Sequence, residues 1–446
     1  MELLKSSRIE PRLILHGGAG NITPDNLPPQ AQKEYREALF GILRKANAKL
    51  LSGASALDVA TYAVSLLELN PLFNAGHGAV YTREGRHELE ASVMVSKGYN
   101  KRGVGVMRVT KAKSPIKLAR EMLIKGQLPD GGGAQGHCQL AGEMCDQLAE
   151  EWGLELVKPS YFWVRKRWDE HRRGLGLAHD DETYERMKRE VDGKSTASDA
   201  AVQAPVAFTE DGVSVSDIHW DGKEYLPQGT VGAVALDSTG AICCATSTGG
   251  ITNKLPGRIG DTPTLGAGFF AEQWDVPKDP PALISPAPLF QMSALLSDCL
   301  PSIAPRLSAA SPPSLNPQIG YRAVGMSGTG NGDSFLRIAA VRTAAAMARF
   351  ATHPAAPFSG RAHSSGVSLQ QAVTAIAGPH GELQRSAGDR WHKTGEGEGG
   401  IIGLELDANG QGHVVFDHNC GGMFRAFFDD DGKEQFGVFH PKSGIP

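Results

Sequence analysis

GTVGAVALD (Gly229 to Asp237), the turn residues Ser238-Thr239-Gly240 and AICCATST (Ala241 to Thr248) decide how this chain is read. Two apolar runs flank a tight turn, which predicts a β-hairpin. Thr230 opens its first strand and Thr248 closes its second. Neighbouring strands lie about 4.8 Å apart, so two inward-facing hydroxyls can approach one another across such a hairpin. Adjacent Cys243 and Cys244 alternate faces of the second strand, where packing accounts for them.

Upstream of the hairpin the composition changes. From about Arg165 to Gln228 the chain is first densely charged (RKRWDEHRRG, YERMKREVDGK) and then small and polar (STASDAA), which predicts an exposed, partly mobile connection ending at Gly229-Thr230. Before it, Arg12 to His16 reads as a strand broken by Gly17, Gly18 and Gly20, a loop whose backbone is open to a ligand. Helices follow from about Gln32 to Leu51 and after Ser55, where Leu57, Ala60, Val64 and Leu67 recur at helical spacing. LLELNPLFNAGHGAVY is a structured turn region, Gly103 to Val109 a strand, and Ser114-Pro115 the start of a helix through Leu123. GGGAQG then precedes a helix around Gln139 to Glu151.

Downstream, ten of the 27 prolines fall between Val276 and Gln318, so about 275 to 325 reads as a large surface insertion. Phe335 to Phe350 is alanine-rich and helical, and Gly400 to Leu406 is a late strand. No internal repeat is evident.

A chain of 446 residues with 41% hydrophobic and 21% charged residues can bury a substantial core. Its net charge of -4 gives no electrostatic reason to bind nucleic acid or anionic lipid. The N-terminal residues mix charges with apolar side chains and lack a signal-peptide core, and no run approaches 18 apolar residues. Six cysteines without CxxC spacing fit neither a disulfide scaffold nor a zinc site, so a cytoplasmic chain with reduced thiols is expected.

The chemistry centres on Gly229-Thr230. A threonine hydroxyl is a weak nucleophile until its proton is removed, and an N-terminal threonine carries its own base. Its α-amine titrates at about 7.7 to 8.0, near working pH. Such an amine has to be made by cleavage. Glycine permits a strained backbone that exposes its carbonyl, and the threonine Oγ can attack that carbonyl to give an ester that water resolves.

These stretches, together with HGGAG (His16 to Gly20), FNAGHG (Phe73 to Gly78), ATSTGGITNKLPGRIGDTP (Ala245 to Pro263) and SGTGNGD (Ser327 to Asp333), resemble the type-2 L-asparaginase and isoaspartyl-peptidase family, in the order that family uses. The resemblance covers roughly residues 12 to 150, 229 to 272 and 326 to 425. It implies an α+β fold, a four-layer αββα sandwich of the N-terminal-nucleophile type. One domain would span 1–446, self-cleaved into 1–229 and 230–446. It further implies that Thr230 is the nucleophile and that Thr248 hydrogen-bonds and orients it. Thr329 Oγ and Gly330 N–H would form the oxyanion hole, Arg258 would hold the substrate α-carboxylate, Asp261 its α-ammonium, and Gly332 would line the site. Asn74 and the Gly17-Gly18 loop would position the junction. The substrate would be asparagine or a β-aspartyl peptide. No organic cofactor is implied, only a structural sodium or potassium on backbone carbonyls near Leu66 to Phe73, and a dimer of cleaved protomers. Insertions after Trp274 and around Thr352 to Val367 depart from the family and could cover the pocket mouth.

Asn74 could simply stabilise a turn, and Arg258 with Asp261 could be a surface ion pair. Asp237-Ser238-Thr239-Gly240 has the D-[ST]-G form of an aspartic protease, but it sits in the hairpin turn with no second copy. The glycines Gly328, Gly330 and Gly332 lack the strand and downstream acid of a dinucleotide site. His16 and His77 match no metal spacing and are assigned to packing or loop hydrogen bonds. Related alternatives are a glycosylasparaginase and a threonine aspartase; an alternative of another class is a non-catalytic binding module.

Overall fold

The computed structural model describes residues 9–193, 229–276, 319–350 and 367–440. The chain mixes helices with two β-sheets. The hairpin is present: β5 (Val231–Leu236) and β6 (Ile242–Thr248) pair antiparallel, with Val231 opposite Ser247 and Leu236 opposite Ile242. Every residue of both strands is buried, because apolar layers cover both of their faces.

Around this hairpin runs an eight-stranded sheet. It contains β1 (Arg12–Gly20), β2 (Leu89–Val95), β3 (Gly103–Val109), β4 (Gln139–Ala141), β11 (Gly422–Phe428) and β12 (Glu434–Gly437), in the order β12-β11-β1-β5-β6-β2-β3-β4. A second sheet has the order β10-β9-β8-β7, from β7 (Phe269–Asp275), β8 (Tyr321–Gly330), β9 (Gly399–Leu406) and β10 (Gly412–His418).

Three apolar clusters fix the stacking. Helices α1 (Pro29–Leu51), α2 (Ala56–Glu68), α3 (Pro115–Lys125) and α4 (Glu143–Glu151) share one cluster with Val231, Ala233, Cys243 and Ala245 of the hairpin. The alternate residues Val234, Leu236, Ile242 and Cys244 join a second cluster with Phe269, Ile402 and Leu404 of the smaller sheet. That sheet's other face, through Val324, Met326 and Ile401, packs on helices α7 (Gly332–Ile338), α8 (Ala340–Phe350), α9 (Leu369–Ala377) and α10 (Glu382–Ala387). The two-residue period thus sends Cys243 and Cys244 into different apolar layers, and the five cysteines among the described residues are free.

Local chemistry sets the helix ends. Ser55 caps α2 by accepting the Asp58 N–H, and Ser368 with Gln371 forms a capping box on α9. Pro115 occupies the first turn of α3, where its missing N–H costs nothing. The expected single helix from Phe335 is two: Ala339 turns left-handed at φ 46° and separates α7 from α8. The expected helix at Gln139 begins instead with the short strand β4, which pairs parallel to β3.

A larger correction concerns the charged joint. Residues from Arg165 form α5 (Arg165–Gly174) and α6 (Asp181–Gly193), and α5 buries Arg167 and Trp168 almost completely. Trp168, Trp163 and Tyr184 make an aromatic cluster on Tyr81, so this part of the joint is docked on the body. Charge density hid an amphipathic helix whose few aromatic residues supply the packing. The rest of the expected tail, 194–228, lies outside the described residues, as do 277–318 of the Pro-rich stretch and 351–366 of the later insertion. No helix among the described residues is long and apolar enough to cross a membrane.

Candidate active site

The uncut junction lies at the edge of the hairpin against the end of β1. Thr230 is 4% exposed and immediately precedes β5. Its Oγ1 lies 2.9 Å from Thr262 Oγ1, and its carbonyl accepts a 3.0 Å hydrogen bond from the Thr329 hydroxyl. That hydroxyl in turn accepts the Ala19 N–H at 3.1 Å. Strands β1, β5 and β8 are therefore tied together at the nucleophile position by one short polar chain.

Gly229 admits no side chain. A Cβ there would lie 2.2 Å from Gly18 Cα and 2.4 Å from Ala19 N, and Gly18 itself has φ +118°. Two glycine backbones press together where HGGAG, expected from its glycines to be a loop but paired here as the end of β1, meets the junction.

Beside Thr262, Asp261 is 4% exposed and its Oδ2 has no hydrogen-bond partner among the described residues. Burial pushes its carboxyl up to about 7, only partly opposed by the Arg258 charge. A Cβ on Gly332 would lie 2.5 Å from Asp261 Oδ1 and 2.9 Å from Arg258 Nη2, so carboxylate and guanidinium converge on the start of α7. Arg258 also donates to Asp333 Oδ2 at 3.1 Å, while its Nε has no partner among the described residues. A buried acid and a half-used guanidinium side by side are complementary in charge to the two ends of a zwitterion.

The loop carrying this pair is held from below. Glu90 Oε1 and Oε2 accept the Gly260 N–H at 3.1 and 3.3 Å, and Lys254 Nζ sits 4.0 Å from Glu90 with both side chains fully buried. Lys254 also donates to the Glu88 carbonyl at 2.7 Å. Sequence reading singled out neither Glu90 nor Lys254, nor Thr262, although Lys254 and Thr262 fall inside a quoted stretch.

Other expected site residues are placed as follows. Thr248 follows Ser247, the partner of Val231, and its Oγ1 accepts the Gly250 N–H at 3.0 Å. The hydroxyl at hydrogen-bond distance from Thr230 Oγ1 is that of Thr262, where Thr248 was the expected partner. Gly330 ends β8 opposite Gly399. Asn74 accepts from Val80 N at 3.0 Å and donates to Gly250 O at 2.7 Å, so it staples the FNAGHG turn to the loop after β6.

His16 is fully buried, with Nε2 2.6 Å from Ser327 Oγ, and burial lowers its pKa to about 3, which keeps it neutral. His77 pairs with the Tyr161 carbonyl. Asp237 Oδ1 accepts from Thr239 and Ala241 and Oδ2 from Ala56 N, which is turn chemistry.

In the turn after α2 several carbonyls face inward. A Cβ on Gly76 would lie 2.5 Å from Glu68 O, and one on Gly78 would lie 2.1 Å from Phe73 O and 2.7 Å from Pro71 O. Arg167 from α5 braces this turn, donating through Nε to Gly78 O at 2.9 Å and through Nη2 to Leu72 O at 3.0 Å. Backbone carbonyls of this turn are of the oxygen type that a hard alkali ion takes.

Hydroxyl chemistry at a buried junction, next to this acid and guanidinium pair, places the protein among the hydrolases. The chain belongs to the asparaginase family, whose model matches residues 9–275. It is 38% identical over 267 residues to the isoaspartyl peptidase of Escherichia coli, covering 59% of this chain and 68% of that one. A putative isoaspartyl peptidase/L-asparaginase of Dictyostelium discoideum is 34% identical over 266 residues, 58% of this chain and 70% of the relative. A probable isoaspartyl peptidase/L-asparaginase 2 of Arabidopsis thaliana aligns over 420 residues at 28% identity, covering 94% and 96%.

Proposed function

We propose that this chain is a self-activating threonine hydrolase that converts L-asparagine to L-aspartate and ammonia and cleaves β-aspartyl dipeptides. The observation that carries the reading is the buried, unpartnered Asp261 carboxylate beside Arg258, next to the Thr230 hydroxyl network. Relatives named isoaspartyl peptidase and L-asparaginase support the same substrates. The three apolar clusters support the four-layer αββα arrangement of N-terminal-nucleophile enzymes.

In the activation step Thr230 Oγ attacks the Gly229 carbonyl carbon, the Gly229–Thr230 C–N bond breaks, and the Thr230 nitrogen takes up the proton. Water then hydrolyses the ester, leaving a Gly229 carboxylate and a free Thr230 amine. In the catalytic cycle that amine takes the Oγ proton while Oγ attacks the side-chain amide carbon of the substrate. Thr329 Oγ and Gly330 N–H stabilise the resulting oxyanion, ammonia or the amine leaves with the proton, and water releases aspartate. Arg258 and Asp261 hold the α-carboxylate and α-ammonium, and Thr262 aligns the nucleophile. The inward carbonyls of Glu68, Pro71 and Phe73 would hold a sodium or potassium ion whose contribution is to stiffen the turn bearing Asn74. Family resemblance supports a cytoplasmic dimer of cleaved protomers and an asparagine or β-aspartyl substrate. Nothing in the charge balance favours nucleic acid or membrane partners.

The test is a denaturing gel with N-terminal sequencing, beside Thr230→Ala, followed by ammonia release from asparagine. A fragment starting at Thr230 in the wild type and an uncut variant support the reading. A wild type that stays whole and releases no ammonia would move the assignment to a binding module on this scaffold.

A further inference from the structure

The partly buried carboxyl of Glu398 has no part in the chemistry above. Glu398 immediately precedes β9, and its carbonyl accepts the Asn331 N–H at 2.9 Å, so the β8–β9 ladder runs on past its last strand pair. In that ladder Thr329 lies opposite Gly400. Directly paired residues project to the same face, and so does the residue two positions along.

The faces are identified by neighbours. A Cβ on Gly399 would meet the Phe335 ring on the helix side, whereas one on Gly400 would meet Met423 Sδ on the side between the sheets. Glu398 therefore projects with Gly400 and Thr329 into the space between the sheets, as a diagonal neighbour of Thr329 at about 7–8 Å. Burial first, and the Glu398 charge after it, raise the pKa of the Cys420 thiol, which contacts the Gly20 backbone at the end of β1.

Strand order separates Glu398 from the Arg258 and Asp261 pair. In the order β9-β8-β7, Asp261 belongs to the β7 flank, since its carbonyl accepts the Gly268 N–H just before Phe269. Glu398 belongs to the β9 flank. A substrate whose α-carbon is held by Arg258 and Asp261, and whose β-carbonyl reaches Thr230 and Thr329, directs its leaving group toward Glu398.

We propose that Glu398 is a specificity-determining residue on the leaving-group side, disfavouring β-aspartyl dipeptides whose leaving residue carries a free α-carboxylate and thereby favouring asparagine. This rests on the reading of the site as an asparaginase and isoaspartyl peptidase. Asparagine loses neutral ammonia and brings no charge to that wall, whereas a dipeptide brings a second carboxylate within reach of the first. Burial raises the Glu398 carboxyl to about 7, so above that pH it is ionised and the repulsion is present.

The test uses the mature full chain and Glu398→Gln at pH 8.5, with asparagine, β-aspartyl-leucine and β-aspartyl-leucine amide compared by kcat/KM. In the wild type the amide should exceed the free acid by about five-fold, the size expected for two like charges several ångströms apart near a protein surface. In Glu398→Gln that preference should shrink below about two-fold, and the asparagine-to-acid ratio should fall with it. Each ratio is taken on one sample, so the folded fraction of the variant cancels. Equal rates on acid and amide in the wild type, or a preference that survives in the variant, would overturn the role of Glu398 and leave the hydrolase reading standing. Failure of the wild type on all three substrates would remove both.

Discussion

Thr230 and Thr262 face each other with hydroxyl oxygens 2.9 Å apart, although 32 residues separate them. Thr262 reaches that position because the loop after β6 folds back over β2, where Ser92 Oγ donates to the Thr262 carbonyl at 2.6 Å. Thr262→Val keeps the shape and deletes the hydroxyl. Self-cleavage and kcat should each fall about 10- to 100-fold, as expected when a nucleophile loses an orienting hydrogen bond. KM for asparagine should change by less than about three-fold. Steady-state kinetics on processed protein would show whether the loss is in kcat; a loss confined to KM would assign Thr262 to binding.

Gly229→Ala places a methyl group 2.2 Å from Gly18 Cα, a contact that backbone on both sides cannot relieve. The junction should shift off the HGGAG end of β1 and the chain should remain whole. Intact mass after prolonged incubation reports this directly, and normal processing of the variant would mean that the close approach is not needed for cleavage.

Asp261 couples binding to pH. Its carboxyl is raised to about 7 by burial, and substrate ammonium is bound by the ionised form. KM should therefore rise as pH falls through 7, with kcat less affected. The sign for stability is opposite to that of an ion-paired acid: the folded state holds this proton more tightly than the unfolded one, so stability falls as pH rises from about 4 toward 7. Asp261→Asn should accordingly abolish asparagine binding yet raise the stability of the substrate-free protein at pH 8 by about 1–3 kcal/mol. Calorimetry of both forms at pH 5 and pH 8 checks the sign, since the gap should narrow at the lower pH.

Arg167 is 1% exposed, joins α5 to the Leu72 and Gly78 carbonyls and pairs with Glu170 of the same helix. Arg167→Ala leaves those acceptors and the Glu170 carboxylate without it, at a cost of about 3–5 kcal/mol. Denaturant melts should show the loss, and ammonia release should fall with it because the braced turn carries Asn74.

Much of this site was legible in the sequence. The hairpin and its turn follow from residue type and spacing, since turn chemistry and strand alternation are local, whereas the glycines of HGGAG, which read as a loop, lie in strand β1. Arg258, Asp261 and Gly332 could be named only through resemblance, because no local pattern shows that residues 71 apart share a pocket. The joint was misread from Arg165 onward: its composition is that of an exposed linker, and the packing of Trp168 on Tyr81 depends on a partner 87 positions away.

The sequence by itself determined the hairpin and its turn, because strand alternation and turn chemistry are local, and it offered Gly229-Thr230 only as a candidate junction, since Gly328-Thr329 is the same dipeptide. Tertiary structure alone decided what surrounds Thr230. Thr262 became the partner of Thr230, Asp261 lost its solvent and Glu398 came to face the pocket through the register of strands distant in sequence. Hydrogen bonding and desolvation act through space over a few ångströms, and only the folded chain sets which groups come that close.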